Sequence, residues 1–159
     1  MTPRYVGADD WAQWRDLRLR ALADSPDAFG STLAREEALT EAHWRARLGD
    51  PDGVAVLVDV DGHPVGMGAG FPDLPGLLHV VTMWVEPACR GRGVGGVVLR
   101  AVENWATARG LGLHLDVNVA NPVARSTYER YGFVGTGETR PLRDGSAQRI
   151  ERMVLHRTS

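Results

Sequence analysis

The chain has 159 residues, 43% hydrophobic and 24% charged, and this balance is typical of a globular domain rather than a disordered or low-complexity chain. Its formal net charge of −2 at pH 7 creates no positive field that would attract nucleic acid or an anionic membrane, so neither is expected as a partner. With no apolar signal segment and no run near the roughly 20 apolar residues that span a bilayer, we expect one domain over residues 1–159 that is soluble and cytoplasmic.

The cysteine and histidine content limits the possible chemistry. Cys89 is the only cysteine, which excludes an internal disulfide and any multi-cysteine metal site. The residues His43, His63, His114 and His156 show no metal-ligand spacing, so we predict no metal cofactor.

The N-terminal third is predicted to form one strand and two helices. Residues 4–7 form a short strand, and Asp9 or Asp10 can cap a helix that ends at Ser25-Pro26. Residues 32–48 suggest a second helix, best supported near its C-terminal end. The apolar residues with helical spacing in the first helix are Trp11, Trp14, Leu17, Leu19 and Leu22.

Strands dominate the middle of the chain. Residues 54–60 form a buried strand, Asp61-Gly62 is a tight turn, and residues 65–71 return as the hairpin partner. The longest apolar run, residues 77–85, is predicted to be a central strand closed by Pro87.

The C-terminal part alternates helices and strands. A helix is predicted over residues 95–108, a strand over 113–117 and a helix over 121–131. Two strands follow, at residues 133–137 and 149–156. The element order is therefore β-α-α-β-β-β-α-β-α-β-β, which indicates a mixed α/β (α+β) domain.

A glycine-rich loop, "CRGRGVGG", lies between the central strand and the next helix. It is not a P-loop, because no Gly-Lys-Ser/Thr follows. Gly91, Gly93 and Gly96 do spell G-x-G-x-x-G, with Asp116 about twenty residues on, as in dinucleotide-binding folds. However, residues 86–90 separate the glycines from the strand, and too few alternating units follow for a doubly wound sheet.

The remaining functional interpretation of this loop is an anion cradle. In the pattern Arg90-x-x-Gly93-x-Gly95, successive glycines allow backbone N–H groups to turn inward at the start of a helix. The helix dipole adds about 0.3–1 kcal/mol for an anion there. A diphosphate fits such a cradle, although a flexible loop without a ligand is the alternative.

Residues 81–95 resemble the acetyl-CoA signature of GCN5-related N-acetyltransferases, the GNAT superfamily, with its V-x-P strand end and R/Q-x-x-G-x-G/A loop. Residues 121–133 resemble the family's strand 5 to helix 4 segment with its Y-x-x-x-G-F ending. Residues 9–48 resemble the family's two-helix substrate lid. The resemblance covers the element order of the whole chain and is specific over residues 77–137. It implies the GNAT fold, a mostly antiparallel sheet of about seven strands flanked by about four helices.

The resemblance also implies an activity, acetyl-CoA-dependent N-acetyl transfer to a primary amine of a small molecule or protein, by direct attack in a ternary complex. A monomer or homodimer is expected. The alternative is a non-catalytic acyl-CoA sensor with the same fold. The residues that the resemblance places on the cofactor are Met83, Val85, Arg90, Gly91, Arg92, Gly93, Val94, Gly95 and Asn121.

Two catalytic residues are implied by the same comparison. Tyr128 matches the family's general acid for the leaving thiolate, and Tyr131 is assigned to packing. His79 lies eleven residues before Arg90, where the histone-acetylating branch of the family has a glutamate base. A structural role for His79 stays open, and so does proton transfer through water. The weaker candidates for the base are Glu36, Glu37 and Glu86.

The sequence does not identify the acceptor. An acidic pocket for a polyamine or an aminoglycoside is one possibility, and surface solvation explains the same residues equally well. The acidic residues concerned are Asp24, Asp27, Glu36 and Glu37.

Overall fold

The computed structural model describes residues 1–157, which share one seven-stranded sheet. Its strands are β1 Thr2–Tyr5, β2 Val54–Val60, β3 His63–Leu74, β4 Leu77–Val85, β5 Gly112–Asn118, β6 Phe133–Pro141 and β7 Arg149–Leu155. Its helices are α1 Trp11–Asp24, α2 Leu33–Glu37, α3 Glu41–Leu48, α4 Val94–Thr107 and α5 Pro122–Tyr131. Within these described residues, none of the helices combines the length and apolar character required to cross a membrane.

The predicted fold class is confirmed, with one correction in the N-terminal third. The sheet is mixed and mostly antiparallel, but the predicted helix over residues 32–48 is two helices, α2 and α3. Thr32 caps α2 by accepting a hydrogen bond from the Arg35 amide, and Thr40 caps α3 in the same way from the His43 amide. The second cap ends the first helix, because the capping residue takes an extended backbone conformation.

The strand order is β1-β2-β3-β4-β5-β7-β6, and β4 and β5 form its one parallel pair within residues 1–157. That pairing joins residues 77–80 to residues 112–115 and goes no further. The C-terminal halves of the two strands therefore diverge. Because a strand edge without a partner exposes its N–H and C=O groups, this gap offers hydrogen-bonding positions in the middle of the sheet.

A bulge in β4 lies beside the gap. Met67 pairs with Trp84, but Ala69 pairs with Val81, so β4 has one residue more than β3 over this stretch. Thr82 in the bulge has a φ of 61°. A β-branched residue with positive φ is strained and is found where surrounding structure holds it, often at a functional site.

Helices cover both faces of the sheet. One buried cluster joins α4 to β2, β3, β4 and β5, and Tyr128 and Tyr131 of α5 pack against it. A second cluster joins α1 and α3 to the opposite face, with Trp44 and Leu17 fully buried at its centre. The helices α1 and α3 are thus held on one face of these strands, and α4, which follows the glycine loop, on the other.

The close approach of α4 to β3 depends on two glycines. A Cβ at Gly68 would lie 2.5 Å from Val98 Cγ1 and 2.8 Å from Met83 Sδ, and a Cβ at Gly66 would lie 2.5 Å from Val94 Cγ1. These distances are too short for real carbon contacts, so the start of α4 sits where it does because β3 has no side chain there.

We therefore expect Gly68→Ala to lower the free energy of unfolding by about 1–3 kcal/mol, because the added methyl overpacks the core. Gly96→Ala is the matched control. A Cβ at Gly96 meets nothing within 4 Å, and alanine in a helix is favoured over glycine by up to about 1 kcal/mol. Urea unfolding of the two variants tests this, and equal stabilities would contradict the close packing.

Candidate active site

A cavity of about 1740 Å³ opens in the gap between β4 and β5 and extends from the glycine loop to α1, α2 and α3. The structure brings most of the predicted site residues together along its wall. Arg92 is the exception, since its exposed side chain lies outside the lining. The predicted residues on the lining are His79, Met83, Val85, Arg90, Gly91, Gly93, Val94, Gly95, Asn121 and Tyr128.

The backbone of β4 faces this gap at its C-terminal end. The Glu86 amide donates to the Val65 carbonyl at 2.8 Å, so the neighbouring residue Val85 directs its N–H and C=O away from β3 and into the gap. The Met83 carbonyl also faces the gap, because the N–H of the peptide group that it shares with Trp84 points to β3. The strand can therefore accept an extended ligand as an added strand.

The glycine loop forms the second wall. Gly91 and Gly93 have φ values of 78° and 84°, a left-handed conformation that glycine adopts without strain. Gly93 precedes α4, and the amides of Val94, Gly95 and Gly96 donate no hydrogen bond within residues 1–157. These donors, with the positive end of the helix dipole, can hold a diphosphate.

The Arg90 side chain turns away from the amides of this loop. Its Nε donates to the Val85 carbonyl at 2.9 Å, and its Nη2 donates to Asp24 at 2.8 Å. Trp84 Nε1 donates to the same carboxylate at 3.1 Å. Hydrogen bonds from Ser25, Trp84 and Arg90 hold the pKa of Asp24 below its usual range. Asp24 thus connects the end of α1 to β4 and to the loop.

Asn121 and Tyr128 belong to α5. Asn121 caps this helix by accepting a hydrogen bond from the Ala124 amide at 3.0 Å, which leaves its side-chain NH₂ available. Tyr128 packs edge-on against Phe133, with ring centroids 5.9 Å apart. Its hydroxyl makes no hydrogen bond within residues 1–157, and burial raises its pKa to about 12. At neutral pH Tyr128 is therefore a protonated phenol that can donate to a ligand.

His79 lies between two carboxylates. Its Nδ1 is 3.2 Å from Asp73 Oδ2, and its Nε2 is 3.3 Å from Asp116 Oδ2. An imidazolium can donate to both carboxylates, whereas a neutral imidazole can donate to one. Burial alone would raise the pKa of Asp116, but the hydrogen bond with His79 and the charges of Arg140 and Arg152 hold it below its usual range.

His114 stacks on His79, with ring centroids 4.7 Å apart and ring planes 22° apart, and its Nε2 lies 2.7 Å from Asp73 Oδ1. Each of these three side chains offers a metal-ligating atom, and the atoms lie within 4.8 Å of one another. Near-parallel rings direct their nitrogens side by side rather than toward one point. The arrangement fits a hydrogen-bonded network better than a metal centre.

Burial lowers the pKa of His114 despite its bond to Asp73, so His114 takes up a proton more readily in the unfolded chain than in the folded one. We therefore expect the folded protein to lose stability as the pH falls below about 6.5. His114→Gln should make the melting temperature less dependent on pH between 7 and 5. His63→Gln, at the exposed start of β3, is the control. An unchanged slope in the His114 variant would contradict this assignment.

Glu36 is buried, which corrects the expectation of a solvated helix face. It is 1% exposed and accepts hydrogen bonds from Arg18 Nε at 3.0 Å and Nη2 at 3.2 Å. Arg18 Nη1 also donates to Thr82 Oγ1 at 3.3 Å, so the lid is bonded to the bulge of β4. Helical spacing did not single out Glu36, because Ala38 and Leu39 interrupt the helix beside it.

Comparisons with known proteins agree with this geometry. The profile of the Acetyltransferase (GNAT) family matches residues 11–133. An acetyltransferase of Agrobacterium fabrum is 33% identical over 129 residues, which cover 79% of this chain and 91% of that protein. The crystal structure of a GNAT-family acetyltransferase from Streptococcus pneumoniae has a TM-score of 0.82 and 18% identity, covering 98% of this chain and 99% of that one.

A second solved structure, an aminoglycoside 6'-N-acetyltransferase complexed with coenzyme A, has a TM-score of 0.73 and 16% identity and covers 100% of both chains. At such identities the two solved structures establish the likeness of fold. The family assignment itself rests on the profile match and on the relative of 33% identity. On these grounds the chain is a member of the acetyltransferase (GNAT) family.

Proposed function

We propose that this protein is an N-acetyltransferase that moves the acetyl group of acetyl-CoA directly to a primary amine in a ternary complex. The proposal rests on one observation, that two backbone features line the same cavity. The Val85 peptide group faces the gap between β4 and β5, and the free amides at the start of α4 line the same cavity. This pairing suits a ligand with a diphosphate and an extended amide arm.

In this proposal, each part of acetyl-CoA has its own set of residues. The amides of residues 93–96 would bind the diphosphate, with Gly91 allowing the approach of the phosphates. Met83 and Val85 would pair with the two amides of the pantetheine arm. In this structure the Arg90 side chain donates a hydrogen bond to the Val85 carbonyl. On cofactor binding, an amide of the arm would replace Arg90 as the donor, and the Arg90 side chain would turn to the phosphates. Arg92, being exposed, would add charge near them, and the Asn121 NH₂ group would reach the arm.

The proposed reaction has three steps. His79, the candidate base, first takes a proton from the ammonium form of the acceptor, directly or through water. The neutral amine nitrogen then attacks the thioester carbonyl, and the Val85 N–H donates to the oxyanion that forms. The C–S bond then breaks, and the Tyr128 hydroxyl donates a hydrogen bond or its proton to the departing thiolate.

Release of free thiol from acetyl-CoA, measured over a panel of amines with mass spectrometry of the products, tests this proposal. Thiol release that requires an amine, together with an N-acetylated product, is the expected result. If coenzyme A raises the melting temperature but no amine supports release, the chain is a sensor of acyl-CoA and not a transferase. The cytoplasmic location and the choice between monomer and homodimer stay predictions, for fractionation and sedimentation to test.

A further inference from the structure

The cavity wall away from the glycine loop has an excess of positive charge around its buried carboxylate. Glu36 accepts two hydrogen bonds from Arg18, and Arg47 Nη1 lies 3.4 Å from the same carboxylate. Arg18 is itself only 8% exposed. Two guanidiniums therefore face one carboxylate, which leaves one positive charge uncompensated within this group.

A second carboxylate, on the opposite side of the cavity, is also held by arginines. Asp116, whose side chain is 10% exposed, forms ion pairs with Arg140 and, at 3.6 Å, with Arg152. His79 lies beside it as a third partner. Asp116 is thus surrounded by cationic groups, while Asp73 on the other side of His79 balances part of their charge.

These pairings argue against the acidic pocket that a polycationic acceptor requires. Asp24 is already bonded to Arg90, and Glu37 is not part of the cavity lining. Asp27 and Asp50 do lie on the lining, but both are exposed. The buried carboxylate at this end, Glu36, is already held by Arg18 and Arg47, so a polyamine would meet only exposed carboxylates there.

Arg47 is the group best placed to bind a ligand at this end. It lines the cavity, its side chain is 42% exposed, and its guanidinium lies 5.1 Å from the centre of the Trp44 ring. Apart from the bond to Glu36, its N–H donors have no hydrogen-bond partner within residues 1–157. Arg35 also lines the cavity with an exposed side chain. A guanidinium edge with free parallel donors matches a carboxylate.

We propose that the acceptor is an amine that also carries a carboxylate, and that Arg47 is the residue that recognises this carboxylate. The inference rests on the proposed function only in calling the ligand an acceptor. The carboxylate-binding site itself does not depend on turnover. The amine end of such a molecule would extend toward β4, and the carboxylate would lie against α3. An amino acid or a short ω-amino acid has this form.

The test compares each amino acid with its own carboxamide, because the pair differs in charge and hardly in size. Panels of α-amino acids and short ω-amino acids, their carboxamides, and spermidine are assayed by thiol release. For the preferred acceptor, we expect kcat/KM to exceed that of its carboxamide by about tenfold or more, and spermidine to be the poorer substrate. Arg47→Gln should reduce the carboxylate preference to within about threefold.

Arg45→Gln is the matched control, since Arg45 lies on the same helix but pairs with Asp9 and Glu41 outside the cavity. It should keep the preference. Carboxamides or spermidine that serve as well as the carboxylates, or a preference that survives in Arg47→Gln, would overturn the inference.

A binding measurement separates this inference from the proposed function. Isothermal titration with N-acetylated amino acids and their carboxamides, in the presence of coenzyme A, requires no turnover. Tighter binding of a carboxylate form that disappears in Arg47→Gln supports the anion site even if no amine is acetylated, in which case the proposed function fails alone. Equal binding of the two forms across the panel overturns the site whether or not transfer occurs.

Discussion

Tyr128→Phe is expected to lower kcat by about 10²-fold and to change KM for acetyl-CoA by less than about threefold. The variant removes one hydroxyl and keeps the ring that packs on Phe133. An interaction made only as the thiolate departs affects the chemical step and not the binding of the thioester. Steady-state thiol release at saturating amine, over a range of acetyl-CoA concentrations, measures both constants.

The size of this effect follows from two pKa values. Burial raises the pKa of Tyr128 to about 12, whereas a free thiol has a pKa near 8.5. Complete proton transfer from the phenol to a free thiolate would be uphill by about 3.5 units, or roughly 4.8 kcal/mol. A hydrogen bond to the developing thiolate has no such cost. This places the expected loss at the lower end of the range for general acids.

Tyr131→Phe is the matched control for this experiment. Tyr131 is three residues further along α5, but its hydroxyl donates to Glu103 at 2.6 Å and its ring packs on the α4 side of the core. Losing that hydrogen bond should affect the melting temperature more than kcat. If the two phenylalanine variants have the same kcat as the parent protein, Tyr128 has no part in the chemistry.

The sequence predicted those parts of the site that depend on neighbours in the chain. The glycine loop is one, since positive φ at Gly91 and Gly93 and the helix start after them lie within a few residues. The strands are another, because short apolar runs and the Asp61-Gly62 turn are local signals. Periodicity could not locate the break before α3, which a single threonine cap decides.

The surroundings of His79 could not be predicted in this way. His114 and Asp116 reach it through the parallel register of β4 and β5, in which His79 is paired with His114. Asp73 reaches it from β3, at the register shift between Pro72 and Leu74. Nothing in the pattern of either strand fixes that register, because shifting the pairing by two residues preserves the burial of both strands. The contact of Arg18 with Thr82 was equally hidden, since 64 residues separate the two.

His79→Gln is expected to lower kcat/KM for the acceptor by about 10²-fold at pH 7, and by progressively less as the pH approaches 10. A lysine-like amine has a pKa near 10.4, so freeing its lone pair at pH 7 costs about 4.6 kcal/mol. A base that removes this proton therefore increases kcat/KM most at the pH values where the amine is protonated. As the pH rises, the solvent deprotonates more of the amine, and the base contributes less.

The pH profile distinguishes a base from a structural histidine. Glutamine can keep a hydrogen bond to Asp73 or Asp116 but cannot carry a proton, so a purely structural His79 would give a loss of similar size at every pH. His63→Gln, at the exposed start of β3, should leave the whole profile unchanged. A parallel downward shift of the profile, with a lowered melting temperature, would remove His79 from the chemistry and leave water to accept the proton.

Each of the two carboxylates beside His79 can accept a hydrogen bond from an imidazolium. In the neutral ring, one nitrogen directs its lone pair at a carboxylate, at 3.2 Å on the Asp73 side or 3.3 Å on the Asp116 side. Taking up the proton of the attacking amine replaces that contact with a charge-assisted hydrogen bond. Asp116→Asn replaces the carboxylate on the cavity side, so the charge-assisted hydrogen bond cannot form there. We therefore expect its kcat/KM to fall at pH 7 and to recover toward pH 10, as in His79→Gln but to a smaller extent.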